Sequence, residues 1–344
     1  MAPDLDLTVM RRIHVVGVGG AGMSAIAEVL ATMGHEVTGS DLKASTGLER
    51  LRALGVTVRV GHDAANVGDA DLVTRSTAIA DNNVECRAAQ RRGIPLLSRA
   101  QVLGGICLLR DTVAVAGTHG KTTTASMLAL VLREAGLRPS FIIGGDVNEI
   151  GTGAAWDDGQ IFVVEADESD GSFLDLERRV AVVTNLEPDH LEYHGDFEGL
   201  RTAFRRFVEE TDGVTVVGID DEGGRRLAEG SGVVTVGTSV GATWRLESVD
   251  EAWEGVSFDL VGPGGECLPI QVPLPGLHNA RNAAVAAVVG LVVASPPEAV
   301  IDALARFGGV ARRFEHRGAA AGGEFGGDYA HLPTEVATTI RTCR

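Results

Sequence analysis

An apolar strand that breaks into a glycine-bounded loop is the feature that most constrains this chain. Residues 113–124 read Val-Ala-Val-Ala-Gly-Thr-His-Gly-Lys-Thr-Thr-Thr, so Lys121 and Thr122 stand where a helix should begin. In such a loop, backbone N–H groups surround phosphate oxygens, a lysine reaches the terminal phosphates and a threonine hydroxyl binds Mg²⁺. The pattern predicts a triphosphate-binding loop formed by Gly117, Thr118, His119, Gly120, Lys121, Thr122 and Thr123.

This loop is a shortened variant of the general phosphate-binding pattern, because Val115 stands where the first glycine is usually found. Composition supports the interpretation: Lys43 and Lys121 are the two lysines among 30 basic residues, and the others are arginines. In such a chain, a lysine at the loop indicates a need for a compact point charge. The alternative is an ordinary strand–turn–helix with an incidental lysine.

The bulk composition indicates a globular protein of several domains. A length of 344 residues with 44% hydrophobic residues supports two or three cores, and a net charge of −17 argues against a nucleic-acid surface. The 4 cysteines lack CxxC spacing, which argues against a metal site or a disulfide framework. The sequence shows no export signal, and the apolar run 283–294 is shorter than the roughly 20 residues that span a bilayer. We therefore expect a cytoplasmic protein.

Strand and helix patterns alternate along most of the chain, which predicts an α/β fold. We expect a Rossmann-like domain over residues 1–109 and a P-loop-type ATPase α/β domain over residues 110–309. Residues 310–344 should hold a linker, centred on the glycine- and alanine-rich segment 318–327, and the start of a third α/β domain. Within the central domain, residues 233–275 read as short strands with turns, which predicts a β-rich insertion.

A second glycine-rich loop, at residues 16–24, follows the first predicted strand and opens a helix. This arrangement places a diphosphate at a helix N-terminus, and it would fit NAD, FAD or a nucleotide-sugar diphosphate. Asp41 could accept a hydrogen bond from a ribose hydroxyl, and Ser76 could line the same crevice. The alternatives are glycines that permit tight strand–helix packing and a plain loop at Ser76. The predicted ligand-binding residues are Gly19, Gly20, Ala21, Gly22, Met23, Ser24, Asp41 and Ser76.

Two strand exits carry groups that could bind a metal ion. Residues 165–172 read Glu-Ala-Asp-Glu-Ser-Asp-Gly-Ser after an apolar strand, and Glu165 lies nearest to that strand. Its carboxylate could complete the coordination of a Mg²⁺ ion held by Thr122 and the phosphates. His190, after the next strand, could be a second metal ligand. A solvated acidic turn is the alternative for the acidic run.

The segment 276–282 reads Gly-Leu-His-Asn-Ala-Arg-Asn and precedes an apolar helix. Its His278 and Asn282 could hydrogen-bond a nucleotide base. Helix capping alone would explain Asn279.

Taken together, these motifs resemble the Mur ligases, the ATP-dependent ligases that build the peptide stem of peptidoglycan. The resemblance runs from about Arg12 to the last residues. It rests, in family order, on residues 17–24, 117–123, 165–173, 189–191, 278–282 and 312–315. The run 165–172 is similar to that of the alanine-adding members. Members that add later residues commonly carry a carbamylated central-domain lysine, and this chain has no lysine there beyond Lys121.

The resemblance implies a reaction and a role for each motif. ATP would phosphorylate the carboxylate of UDP-N-acetylmuramate, and the amine of L-alanine would attack the acyl phosphate. Lys121 would neutralise the transferring phosphate, Thr122 and Glu165 would hold one Mg²⁺ ion, and His190 would hold a second. The first domain would bind the UDP moiety through residues 19–24. The remaining ATP contacts would come from His278, Asn282 and Arg313.

The end of the chain departs from the family, whose members carry a complete third domain of roughly 100–150 residues. Gly327 and Leu332 stand where the family usually shows Asp and His. We therefore expect the chain to bind UDP-N-acetylmuramate but to form no product at a meaningful rate, with fragment, frameshifted gene and degenerate copy all open. A non-catalytic UDP-sugar and ATP-binding module is one alternative function. An NAD-dependent oxidoreductase is another, but it would explain the first glycine loop alone.

Overall fold

The computed structural model describes residues 5–310, 315–320, 323–327, 336 and 340. The chain divides into two compact units. The first comprises Met1–Arg110, Ala154–Asp157 and Asp175–Glu177, and the second comprises the rest of the chain. Both units are α/β, which confirms the predicted fold class. Among the described residues, no helix combines the length and the apolar character needed to cross a membrane.

The first unit is built on a five-stranded parallel sheet in the order β3-β2-β1-β4-β5. Its strands are β1 (Arg12–Val16), β2 (Glu36–Asp41), β3 (Thr57–Val60), β4 (Leu72–Arg75) and β5 (Leu96–Ser98). Its helices are α1 (Ala21–Thr32), α2 (Thr46–Ala53), α3 (Val84–Arg91) and α4 (Arg99–Cys107). The strand order reverses beside β1, so a crevice is expected at the carboxyl end of β1, which is where such sheets bind ligands.

The second unit is built on a ten-stranded sheet in the order β15-β14-β13-β12-β11-β10-β6-β9-β7-β8. Its strands are β6 (Asp111–Ala116), β7 (Ser140–Val147), β8 (Thr152–Ala155), β9 (Ile161–Glu165), β10 (Val180–Val183), β11 (Val214–Gly218), β12 (Val234–Gly237), β13 (Trp244–Ala252), β14 (Gly255–Val261) and β15 (Cys267–Val272). Its helices are α5 (Lys121–Glu134), α6 (Leu191–His194), α7 (Phe197–Glu209), α8 (Glu222–Ala228), α9 (Leu277–Val292) and α10 (Pro297–Ala305). The strands β6, β9, β10 and β11 pair in parallel, so their carboxyl ends share one edge.

Two buried helices pack together in this unit and fix the position of the predicted phosphate loop. Almost every residue of α5 after its first is buried, and α9 is an alanine- and valine-rich helix that is buried along most of its length. A helix that is apolar all round is stable when protein surrounds it. At Gly290 of α9 the helices approach so closely that a Cβ atom would lie 2.8 Å from Val131 of α5. The first residue of α5, Lys121, is therefore held on a rigid element.

Two segments for which the sequence predicts short strands or a linker form paired strands in the structure. Residues 233–275 hold short strands, as predicted, and these extend the large sheet, because β12 and β13 pair in parallel and β13, β14 and β15 pair antiparallel. Alternating burial along β14 and β15 explains this, since one face of each strand covers the core. The described residues of the predicted linker 318–327 lie in an antiparallel pair of strands, β16 (Glu315–Ala320) and β17 (Gly323–Gly327). Pairing satisfies the backbone groups that an extended linker would leave to water.

Candidate active site

The phosphate loop lies between β6 and α5, and its shape requires glycine. Gly117 has φ 130° and Gly120, the N-cap of α5, has φ 79°, in the left-handed region. A Cβ atom at Gly120 would also collide with the side-chain amide of Asn282. The loop therefore brings its backbone to the N-terminus of α5, where the helix dipole favours an anion.

Lys121 is the charged group of this loop, and a carboxylate holds it. Its Nζ atom donates to the carbonyl of Gly117 at 2.6 Å and lies 2.9 and 3.0 Å from the two carboxylate oxygens of Glu168. The Glu168 side chain is 1% exposed. Burial raises the pKa of the Glu168 carboxyl above its ordinary value, although the Lys121 ammonium opposes that change. The acidic run is thus not a solvated turn at Glu168.

Thr122 and Glu165 meet at the same edge of the sheet. The Thr122 hydroxyl donates to both carboxylate oxygens of Glu165 at 3.0 Å, and the backbone N–H of Gly144 donates to Glu165 at 2.8 Å. A hydroxyl and a carboxylate are hard oxygen donors of the kind that Mg²⁺ prefers. The residues therefore fit the predicted magnesium site, although Thr122 and Glu165 are 43 residues apart in sequence.

His190 stands beside two carboxylates that sequence reasoning did not assign to the site. One ligand atom each from Glu168, Asp189 and His190 lies within 4.8 Å of the others. His190 has φ 49°, which is uncommon for a residue with a side chain, and its backbone N–H donates to Asp189 at 2.8 Å. An imidazole and two carboxylates form a chemically suitable set for a divalent cation. The structure thus gives the predicted ligand His190 two partners.

The residues directly after β10 hold the phosphate loop in place through hydrogen bonds. Their role was not predicted from the sequence. The Asn185 amide accepts from the backbone N–H of His119 at 2.8 Å and donates to the His119 carbonyl at 2.9 Å. The Thr184 hydroxyl donates to the same carbonyl at 2.5 Å. Asp221, which follows β11, accepts a hydrogen bond from the backbone N–H of Leu186. This bond ties the segment after β10 to the neighbouring strand. A Thr-Asn pair directly after an apolar strand was the available sequence signal.

The start of α9 supplies the other predicted nucleotide contacts. Asn282 is 8% exposed and packs against Gly120, so the structure brings it to the phosphate loop. His278 lies in the first turn of α9.

No side chain within the described ranges caps the N-terminus of α9. Asn279 does not cap the helix, because it lies inside α9 and its side chain donates to the carbonyl of Pro275 at 2.8 Å. Gly276 occupies the N-cap position, and a glycine has no side chain that could cap the helix. Arg313 lies outside the described residues.

In the first unit, the end of β2 holds the glycine-rich loop. The backbone N–H groups of Gly17 and Val18 donate to the Ser40 carbonyl at 2.8 and 3.0 Å. The Gly19 N–H donates to the carboxylate of Asp41, the last residue of β2, at 2.8 Å. Ser76 also reaches the loop, since its Cβ lies 3.2 Å from the place of a Cβ on Gly17. The loop, Asp41 and Ser76 are therefore brought together.

The buried carboxylate of Glu85 helps to hold the end of β2 in place. Glu85 of α3 is fully buried, and it accepts from the Ser40 hydroxyl at 2.5 Å and from the Asn66 amide at 2.6 Å. Nitrogen atoms of His62 and His14 lie 3.1 and 3.7 Å from it. Burial disfavours the ionised form, but His14, Ser40 and Asn66 outweigh burial and lower the pKa of Glu85 to about 2. This network fixes Ser40, whose carbonyl holds the loop.

Replacing Glu85 by glutamine should lower the free energy of unfolding at pH 7 by about 1–3 kcal/mol, because a neutral amide cannot satisfy every buried donor. The pKa of Glu85 falls from 4.5 to about 2 on folding, so its contribution is present above about pH 4.5 and is lost as the pH falls toward 2. Urea unfolding at pH 7 and pH 2.5 should therefore show a smaller acid loss in the variant. Glu36→Gln, an exposed change on β2, is the control. Equal acid losses in Glu85→Gln and the wild type would contradict this role.

The fold and the loop at Lys121 define an α/β protein whose loop geometry fits a phosphate group at the start of α5, and comparisons with known proteins identify its family. The family model of the Mur ligase middle domain matches residues 115–290. The model described as Mur ligase family, catalytic domain, matches residues 12–110. The chain belongs to the Mur ligase family.

Individual relatives agree with this assignment. The UDP-N-acetylmuramate–L-alanine ligase of Thermobifida fusca is 45% identical over 345 residues, which cover 99% of this chain and 73% of the relative. That of Saccharopolyspora erythraea is 46% identical over 352 residues, covering 98% and 72%. The crystal structure of the UDP-N-acetylmuramate–alanine ligase of Thermotoga maritima superposes with a TM-score of 0.85 at 30% identity, covering 96% of this chain and 77% of that one.

Proposed function

We propose that this chain is an ATP-dependent ligase of peptidoglycan synthesis that joins L-alanine to the carboxylate of UDP-N-acetylmuramate. The observation that carries the proposal is the convergence of Lys121, Thr122 and Glu165 at the N-terminus of α5. The relatives support the choice of substrates, because those 43–46% identical are named UDP-N-acetylmuramate–L-alanine ligases. The proposed substrates, ATP and a UDP-sugar, favour a cytoplasmic enzyme.

In the proposed mechanism, the protein positions phosphate and neutralises its charge. The loop N–H groups and the Lys121 ammonium bind the terminal phosphates of ATP while the γ-phosphoryl group passes to the muramoyl carboxylate. Thr122 and Glu165 would hold one Mg²⁺ ion, and His190 with Asp189 would hold a second. These ions, when bound, neutralise charge on the phosphate and carboxylate oxygens. The amine of L-alanine then attacks the acyl phosphate, and phosphate leaves.

The remaining predicted contacts divide between the two units. In the second unit, Asn282 and His278 would contact the adenine side of ATP. In the first unit, residues 19–24 would bind the UDP diphosphate, with Asp41 at the ribose and Ser76 at the rim of the site. An oxidoreductase is not favoured, because that activity would not account for Lys121 and its loop.

The test is product formation by the purified chain with ATP, Mg²⁺, UDP-N-acetylmuramate and L-alanine, followed by mass spectrometry together with phosphate release. A ligase forms UDP-N-acetylmuramoyl-alanine and phosphate in equal amounts, and omission of any substrate stops product formation. Calorimetric titrations with ATP and UDP-N-acetylmuramate accompany this assay. The assay also decides between this proposal and the expectation from the sequence that the chain forms no product. Binding of both nucleotides without product would overturn the ligase proposal in favour of a binding module.

A further inference from the structure

Arg99 places a cation against the glycine-rich loop of the first unit. It is the first residue of α4, and a capping box formed by Ser98 and Gln101 fixes the start of that helix. Gly22 lies in the first turn of α1, and a Cβ atom there would lie 2.9 Å from Nε and 3.3 Å from Cζ of Arg99. The guanidinium therefore lies against the N-terminus of α1, and the glycine at position 22 makes that approach possible.

One nitrogen of the Arg99 guanidinium, Nε, is buried and has no hydrogen-bond partner in the part of the chain that the structure describes. Other arginines of the same unit are paired, as Arg12 is with Asp71 and Arg50 is with Glu28. A buried donor left unpaired is costly, so an orphan of this kind needs an explanation.

The charges around Arg99 favour an anion as its partner. The N-terminus of α1 carries the positive end of the helix dipole, which disfavours an arginine beside it. The carboxylate of Asp41 at this loop accepts from the Gly19 N–H and from the backbone N–H of Lys43. A guanidinium and a helix N-terminus both favour phosphate oxygens, and the planar fork of arginine can bind two of them.

We propose that Arg99 binds the diphosphate of the UDP-sugar substrate. The inference rests on the function proposed above and adds a residue to its first site. Arg99 would then contribute to substrate affinity and would have no part in ATP binding. If Arg99 instead contacted the nucleoside or the sugar, the affinity lost on its replacement would depend differently on the number of phosphates in the ligand.

The experiment compares ligands that differ in phosphate content. Wild type, Arg99→Ala, Arg99→Lys and the control Arg87→Ala, an exposed arginine on α3, are titrated with UDP-N-acetylmuramate and UDP by calorimetry. Binding of uridine is followed by ligand-observed NMR. Arg99→Ala should weaken UDP binding about tenfold to a hundredfold, as expected for a charge-assisted hydrogen bond, and leave uridine binding within about twofold. Arg99→Lys should be intermediate because it keeps the charge and loses the fork.

Each other outcome decides against the proposal in a recognisable way. Equal losses of UDP and uridine binding in Arg99→Ala would assign Arg99 a structural role, as would unchanged binding of both ligands. The urea midpoints of the variants show whether a loss comes from unfolding. If the wild type binds neither UDP-N-acetylmuramate nor UDP, the proposed function of this unit fails together with the inference.

Discussion

Replacing Lys121 by alanine should weaken ATP binding by at least about a hundredfold and leave the affinity for UDP-N-acetylmuramate within about threefold. Each charge-assisted hydrogen bond to a phosphate contributes about 1.5–3 kcal/mol, and the ammonium has three donors. The change also leaves the buried carboxylate of Glu168 without the ammonium 2.9 Å away. An unpaired carboxylate at the loop would repel the phosphates further. Calorimetric titration with each ligand measures both effects.

The control for this prediction is Arg133→Ala. Arg133 lies in the last turn of α5, exposed to solvent, so the change removes one positive charge from the same helix at its far end. ATP affinity should stay within about twofold because screening weakens so distant a charge. If Lys121→Ala binds ATP as tightly as Arg133→Ala does, the loop is not the triphosphate site.

Replacing Glu165 by glutamine should reduce the gain in ATP affinity that Mg²⁺ provides by about tenfold or more. The amide keeps the size of the side chain and one oxygen for the Thr122 hydroxyl, but it loses the charge that a hard cation requires. ATP is titrated with and without Mg²⁺ against the wild type and the variant. Affinity without the metal should change little.

Asp170→Asn is the matched control, since Asp170 belongs to the same acidic run and is exposed. Its carboxylate accepts from the backbone N–H and the hydroxyl of Ser172. The Mg²⁺ dependence of this variant should match that of the wild type. An equal dependence in Glu165→Gln would remove Glu165 from the metal site.

The parts of the site that lie close together in sequence were predictable. The loop at Gly117 and Gly120 and the helix start at Lys121 belong to one short run, in which strand, loop and helix signals follow in order. Glu165 was predictable because it ends an apolar strand whose exit must lie at the same sheet edge as the loop. Sequence could not show that Glu168 is buried and Asp170 exposed, since burial depends on the neighbours that folding supplies.

Contacts between distant segments were not predictable from sequence. Glu85 is 45 residues from Ser40, and it is an ordinary acidic residue in the first turn of a helix until the fold encloses it. In the sequence, Asn185 is simply a polar residue at the end of a strand. Its hydrogen bond with His119 joins residues that are 66 positions apart. The strands of residues 233–275 showed the right alternation, but the sheet that they join depends on pairing, which a single sequence does not specify.

The ion pair between Lys121 and Glu168 would make the proposed nucleotide binding an exchange of anions. Under the proposed function, a triphosphate at the loop would replace the Glu168 carboxylate at the same ammonium, and the measured affinity would be the difference between two interactions. The salt dependence of ATP binding should then be weaker than the charge of a triphosphate suggests, because one anion leaves the lysine as another arrives. Glu168 lies beside Asp189 and His190, so a carboxylate released from Lys121 would add to the negative charge available to a cation there.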